Sequence, residues 1–359
     1  MINHKTVCLN MIVRNESTVI LRCLEPLRKI IDYWVIVDTG SNDGTQQLIQ
    51  EFLQNISGEL YERVWIDFAH NRNEALNLAR NRADYIIFID ADDRFEIADS
   101  FMNAQLDLDY YYILLRGCGV TYHRILMINN HPGWVWQGVV HEYMTNESKV
   151  TGAILDGIVC EVSDSGGRRS FDPDKNLKDA RLLEDELKND PSNSRTVFYL
   201  GQSYRSAGKL EEALKYYKLR ASMPSNMSEE NFWSLYLMGC IQEELKKEPE
   251  QFIDSYCKAY LNISDRAEPL YRLAYYFNQI GNYILAYLLG KLALGISIPP
   301  FYAAIDYRVY DFGVAYELAR SAYFLGYDKE ARFLGDKLLM NSNLPDAYRE
   351  TILSILLSA

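Results

Sequence analysis

What most limits this chain is a change of pattern part-way along it. Up to Ile89, short apolar runs alternate with helically spaced segments, whereas from Ser194 onward only helical spacing remains. The first pattern predicts buried strands over Thr6–Val13, Tyr33–Val37, Val64–Ile66 and Tyr85–Ile89. Between them it predicts helices over Ser17–Ile31, Thr45–Asn55 and His70–Arg82. Strands alternating with amphipathic helices build a parallel α/β sheet with right-handed crossovers. Such sheets take ligands at the carboxyl ends of their strands. The residues just after each strand therefore matter most: Arg14-Asn15-Glu16, Asp38-Thr39-Gly40-Ser41, Asp67 and Asp90-Ala91-Asp92-Asp93.

Between Tyr110 and Val162 the strand pieces Tyr111–Leu115 and Thr121–Ile128, broken by Asn129-Asn130-His131-Pro132-Gly133, predict antiparallel additions at the sheet edge. The polar, Gly-bearing stretch Ser163–Pro173 marks a boundary. Three parts follow: an α/β domain over 1–165, a linker and connecting helix over 166–192, and a helical repeat domain over 193–359. In the last part Leu200, Gly201, Tyr204, Gly208, Ala213 and Tyr217 fall on the small and large positions of a tetratricopeptide helix pair. The skeleton recurs at Leu273, Ala274, Phe277, Gly281 and Ala286, and at Leu318, Ala319, Ala322, Gly326 and Ala331, with Met238-Gly239 marking a degraded copy. Aligning Gly201, Gly239, Ala274 and Ala319 gives steps of 38, 35 and 45 residues. Four imperfect repeats and a capping helix over Pro345–Leu357 make a short α-solenoid; a generic helical bundle is the alternative.

The chain has 359 residues, 48% hydrophobic, which supplies sizeable cores and excludes global disorder. Lys+Arg 37 against Asp+Glu 49 gives a net charge of -12, which argues against nucleic acid or an anionic membrane as the main partner. No run of about 18 apolar residues is present, and Met1-Ile2-Asn3-His4-Lys5 has no signal-peptide pattern, so a cytoplasmic protein without a membrane span is expected. The six cysteines are scattered without a Cys-x-x-Cys pair and read as reduced core residues.

The strand Ile86-Ile87-Phe88-Ile89 ends in three carboxylates within four residues, Asp90, Asp92 and Asp93. That crowding is costly unless a cation neutralises it, and a divalent metal bridging to a diphosphate would do so. Met11-Ile12-Val13-Arg14-Asn15-Glu16, Val35-Ile36-Val37-Asp38-Thr39-Gly40-Ser41-Asn42-Asp43-Gly44-Thr45, Arg72-Asn73-Glu74-Ala75-Leu76 and the Asp-x-Asp run occur in an order and spacing that resembles inverting family 2 glycosyltransferases with the GT-A fold. The resemblance covers roughly residues 1–165. It implies a nucleotide-sugar donor, most often a UDP-sugar, and a Mn²⁺ or Mg²⁺ ion. It also implies that Asn15, Glu16 and Asp38 line a uridine pocket, that Arg72 lies near the base or diphosphate, that Asp92 ligates the metal and that Asp90 acts nearer the ribose. The family often has a second Asp where this chain has Thr39. Ser41, Asp43 and Thr45 are expected to cap the following helix.

Tyr122-His123-Arg124, Asn129-Asn130-His131-Pro132 and Trp134-Val135-Trp136-Gln137-Gly138-Val139-Val140-His141-Glu142 resemble the branch of that family that also bears tetratricopeptide repeats, among them bacterial protein and peptide glycosyltransferases such as the bacteriocin cysteine S-glycosyltransferases. The resemblance implies Glu142 as catalytic base, with Asp93 as second choice, and His141 at metal or diphosphate. Trp134 and Trp136 suit sugar stacking, or else the core. Where relatives carry a His before a Gly after the last strand, this chain has Ser163-Asp164-Ser165-Gly166-Gly167, and Asp164 is the substitute metal ligand. The expected partners are a nucleotide sugar and a protein or peptide acceptor, with homodimerisation through the repeats. Competing readings are a saccharide- or lipooligosaccharide-directed transferase, a nucleotidyltransferase, and a non-catalytic repeat scaffold.

Overall fold

The computed structural model describes every residue except 118–119, 164–173, 225–227, 300–304 and 359. Its internal contacts divide it into two units, Met1–Asp190 and Pro191–Ala359. The helix Lys175–Asn189 groups with the first.

The first unit is built on strands β1 Val7–Val13, β2 Tyr33–Asp38, β3 Ser57–Glu62, β4 Tyr85–Phe88, β5 Arg94–Ile97, β6 Tyr110–Gly117, β7 Val120–Asn129, β8 Trp134–Gln137, β9 Tyr143–Asn146 and β10 Gly152–Glu161. Helices α1 Ile20–Leu27, α2 Thr45–Phe52 and α3 Phe68–Leu78 join the first four. Eight strands form one sheet in the order β3-β2-β1-β4-β7-β6-β10-β5, and β8 pairs with β9 in a separate hairpin. β3, β2, β1 and β4 run parallel, so Asp38 at the end of β2, Asn15 just beyond β1 and Asp90 just beyond β4 share one edge. β7 joins antiparallel to both β4 and β6, as the broken strand pattern predicts; β10 instead lies parallel to β6.

β3 is Ser57–Glu62, earlier than the Val64–Ile66 expected from apolarity. Its sequence Ser-Gly-Glu-Leu-Tyr-Glu is mostly polar because it is the outermost strand and buries little, while Val64 and Ile66 are exposed in the loop that follows. On β1, Asn10 is buried and its amide donates to Ala75 O at 2.9 Å, tying α3 to the sheet. Cys8, Cys23 and Cys160 are buried as expected, but Cys257 is exposed.

Among the described residues, the second unit holds four successive helix hairpins: Ser194–Ser206 with Leu210–Ser222, Ser228–Glu244 with Pro249–Asn262, Glu268–Gln279 with Tyr283–Leu294, and Val314–Phe324 with Asp328–Leu339. Asp346–Ser358 closes the array. Each first helix ends in a left-handed residue, Gly208, Lys246, Gly281 or Gly326, with φ between 53° and 75°. In every case the next N–H bonds back five residues, as in Lys209 N to Tyr204 O at 2.9 Å and Lys247 N to Gln242 O at 2.9 Å. Three of these are Gly because only Gly enters this region without strain; the degraded copy holds Lys246 there. The small residues keep their role too, since a Cβ on Gly201 or Gly239 would overlap the ring of Tyr217 or Tyr256. No helix among the described residues is long and apolar enough to cross a membrane.

Candidate functional site

Loops after β1 and β2 are laced together by side chains. Asn15, left-handed at φ 55°, donates its N–H to Ser41 Oγ at 2.8 Å and accepts from Asn42 N at 2.9 Å. Glu16 N donates to Thr45 Oγ1 at 2.9 Å and Ser17 N to Asp43 Oδ2 at 3.0 Å. Burial raises Asp43, but hydrogen bonds from Thr45 and Ser17 outweigh it and hold the carboxyl down at about 2. Asp43 Oδ1 accepts from Thr45 N, the first residue of α2, at 3.1 Å, in keeping with the capping expectation, although Gly44 holds the N-cap position; Ser41, Thr45 and Asp43 Oδ2 fasten one loop to its neighbour.

Asp38 is fully buried between these loops. Its Oδ1 accepts from Gly40 N and Ser41 N, both at 2.8 Å, and its Oδ2 has no hydrogen-bond partner among the described residues. A buried carboxylate oxygen without a donor is unfavourable by itself and suits a ligand N–H or O–H. The chemistry fits the nucleoside contact expected of Asp38.

At the end of β4 the charges are organised by arginine. Asp67, the residue expected to matter after the third strand, caps α3 by accepting from His70 N at 2.7 Å. Arg72, on α3, donates through Nη2 to Asp90 Oδ1 and through Nε to Glu142 Oε1 at 2.8 Å. Burial disfavours its charge, yet Asp90 and Glu142 raise its pKa well above the ordinary arginine value. Arg124, on β7, adds Nη2 at 3.3 Å from Glu142 Oε1 and Nη1 at 3.8 Å from Asp90 Oδ2. Both guanidiniums lie over the Trp136 ring, at 5.1 and 5.7 Å. Arg72 is therefore a buried bridge rather than a surface ion pair. For Asp90 and Glu142 the protein itself supplies cations.

The hairpin that carries Glu142 is held against α3, where Asn73 donates to Trp136 O and accepts from Trp136 N, each at 2.8 Å. Arg80 donates to Trp134 O at 3.1 Å. Beside this bridge lies a small cleft lined by Arg72, Asp90, Asp93, Arg124, Trp136 and Cys160 among others. Asp93 is 8% exposed and accepts from Ser163 N at 3.1 Å. Burial first, and then Asp90 beside it, push its carboxyl up to about 7 against the Ser163 bond.

Residues 8–99, which carry the Asp38 and Asp90 motifs, match the family model described as Glycosyl transferase family 2. The chain carries a family 2 glycosyltransferase domain. Among curated relatives, the SPbeta prophage-derived glycosyltransferase SunS of Bacillus subtilis is 25% identical over 227 residues, 59% of this chain and 52% of that protein. A TPR repeat-containing protein of Synechococcus elongatus is 34% identical over 103 residues, 28% of this chain and 24% of that one. The matches span about half the length of the first of these relatives and about a quarter of the second. Solved structures similar to it include a tetratricopeptide repeat protein from Parabacteroides merdae, at 18% identity and TM-score 0.39 over 51% of this chain and 66% of that one. MamA matches at 18% identity and TM-score 0.35 over 52% of this chain and 95% of that one.

The first unit brings together Arg72, Asp90 and Asp93 of the matched segment with Glu142 and Trp136 beyond it, and joins Asn15 and Glu16 to the loop after Asp38. Two expectations need correction. Trp134 and Trp136 are 3% and 2% exposed, packed edge-on against Tyr110 and Phe88, so neither presents a face for a sugar to stack on. His141 is exposed on the hairpin turn, and among the described residues no three His, Cys, Asp or Glu side chains gather as a metal cage, so His141 does not join Asp92 in one. Asp164 lies outside the described residues. Asp92 and Asp90 carry the hard oxygen chemistry that Mg²⁺ takes with a diphosphate's oxygens, with Asp90 already held by Arg72 and Arg124. Arg124 went unrecognised as a site residue in the sequence; its signal was the unbalanced charge at Asp90 and Glu142.

Proposed function

We propose that this chain transfers a sugar, with inversion, from a nucleotide sugar of the UDP class to a protein or peptide acceptor in the cytoplasm. The observation that carries the reading is the placement of Asp38, with its unpartnered buried oxygen, and of the Asp90–Arg72–Glu142 bridge at the carboxyl edge of the parallel strands. The family 2 match over that edge supports it.

Asp38 Oδ2 accepts from the nucleoside, and the β1 and β2 loops hold it still. Asp92, with Asp90, would hold the Mg²⁺ or Mn²⁺ ion, whose chemistry is neutralisation of the departing diphosphate. Glu142 is the base. Both arginines address its Oε1, which fixes the carboxylate and leaves Oε2 outside these ion pairs. The acceptor O–H or S–H gives its proton to Glu142 as the acceptor atom bonds to the anomeric carbon, and the bond from that carbon to the diphosphate oxygen breaks with its electron pair leaving on UDP. Asp93 is the second choice of base. The repeat unit is proposed to hold the acceptor polypeptide and to pair with a second copy of the chain.

The test is UDP release from a panel of UDP-sugars, with Mn²⁺ and with excess EDTA. Metal-dependent release that falls about 10²-fold or more in Glu142→Gln supports the assignment. Release unaffected by EDTA sinks the metal, near-normal turnover in Glu142→Gln moves the base to Asp93, and no release from any donor leaves a repeat scaffold.

A further inference from the structure

The two arginines of the cleft are not equivalent. The side chain of Arg72 is 7% exposed, and its bonds to Asp90 and Glu142 are short and direct. Arg124 is 28% exposed, and its contacts are at the limit of hydrogen bonding or beyond it: 3.3 Å to Glu142 Oε1, 3.3 Å to Glu142 O, and 3.8 Å to Asp90 Oδ2. Glu142 keeps an arginine partner when Arg124 leaves, because Arg72 remains. The less buried side chain therefore holds the more dispensable of the two pairings.

The charge balance gives that mobility a use. Asp90 and Asp93 line the cleft and Glu142 pairs with both of its arginines, and a nucleoside diphosphate brings more negative charge to it. A planar guanidinium with several donors matches phosphate oxygens in two-point contact. Trp136 beneath the guanidinium gives it an apolar platform on which to turn.

We propose that Arg124 is the diphosphate-binding residue of the donor site, resting on Glu142 and Asp90 when no donor is present and exchanging Glu142 for a phosphate oxygen when one arrives. The proposal rests on the nucleotide-sugar reading above. It adds a residue outside the matched segment 8–99 and couples donor arrival to release of one of the two cations that hold the base.

The experiment is calorimetric titration of the full chain with uridine, UMP and UDP in EDTA, so that no divalent ion contributes to phosphate affinity. The wild type is expected to bind UDP more tightly than uridine by about tenfold or more. Arg124→Gln should abolish that preference while leaving uridine affinity unchanged, and Arg124→Lys should keep part of it. Arg22 is the control cation nearby, since it donates to Asp92 O at 2.6 Å but does not line the cleft. A loss that follows Arg22→Gln instead, an equal loss for uridine and UDP, or no UDP preference in the wild type overturns the proposal. A wild type that binds none of the three overturns the uridine-nucleotide reading itself, a failure distinct from that of Arg124.

Discussion

Arg72 Nε donates to Glu142 Oε1 at 2.8 Å across 70 residues of chain, and the two side chains are 7% and 9% exposed. Breaking a buried ion pair costs about 3–5 kcal/mol when the remaining charge is left uncompensated, and without Arg72 the carboxylate of Glu142 keeps only the longer 3.3 Å contact with Arg124. Arg72→Met should therefore lower the urea midpoint of the first unit by several kcal/mol equivalent. Arg72→Met with Glu142→Met together should recover much of it, which urea titration followed by circular dichroism would show. A single variant as stable as the wild type would mean that Arg124 or water compensates Glu142.

Asp93 supplies a pH dependence of defined sign. Its carboxyl is raised to about 7 in the folded chain by burial and by Asp90, whereas its ordinary value is 3.8. The folded state thus binds this proton more tightly than the unfolded state. The associated stability is fully present below about pH 4, falls as pH rises, and is gone above about 7; the full span is of order 4 kcal/mol. Asp93→Asn should flatten this part of the stability profile and raise the melting temperature at pH 8. A profile between pH 4 and 7 that is identical in the variant would place the titration elsewhere.

The parallel edge and its carboxylates were legible because each motif is contiguous: Asp38 ends β2 and Asp90 follows β4 without a break. What was hidden depends on partners distant in sequence. Ser41, Asp43 and Thr45 look like helix caps when read locally, yet their loop partners lie 26 to 29 residues away. β3 escaped because an edge strand needs no apolar face, and Val64–Ile66 imitated one. Arg124 sits on β7 in the Tyr122-His123-Arg124 stretch, which assigns it no role by itself, and only the hairpin that returns Glu142 to α3 reveals its partner. In the repeats the small residues and the left-handed turns keep the same steps of 38, 35 and 45 residues, although Lys246 has replaced Gly at one of them.

Asp38 provides a test of the nucleoside pocket that is independent of catalysis. In Asp38→Asn one oxygen remains to accept from Gly40 and Ser41, so the loop should keep its shape. The unpartnered Oδ2 becomes an amide donor, which opposes a ligand N–H or O–H. Uridine affinity should fall about tenfold or more with little change in melting temperature. Calorimetry showing undiminished uridine binding would remove Asp38 from the pocket.

The helix Tyr283–Leu294 bears one charge in twelve residues, Lys291, and that charge is paired with Glu330 at 2.9 Å. Ile284, Leu288 and Leu292 project from one face at 63%, 58% and 49% exposure, each one turn apart. Ile280 and Leu285 extend this apolar stripe. An uncharged stripe demands no oppositely charged partner and is complementary to itself across a two-fold axis. A second copy of the chain is its expected occupant. Light scattering after size exclusion should give twice the chain mass for the wild type and the chain mass for Leu288→Glu. Because Leu288 is exposed, the variant should keep the wild-type circular dichroism spectrum. A wild type that remains monomeric across a hundredfold range of concentration, or a Leu288→Glu chain that stays dimeric, would show that this stripe is not the contact.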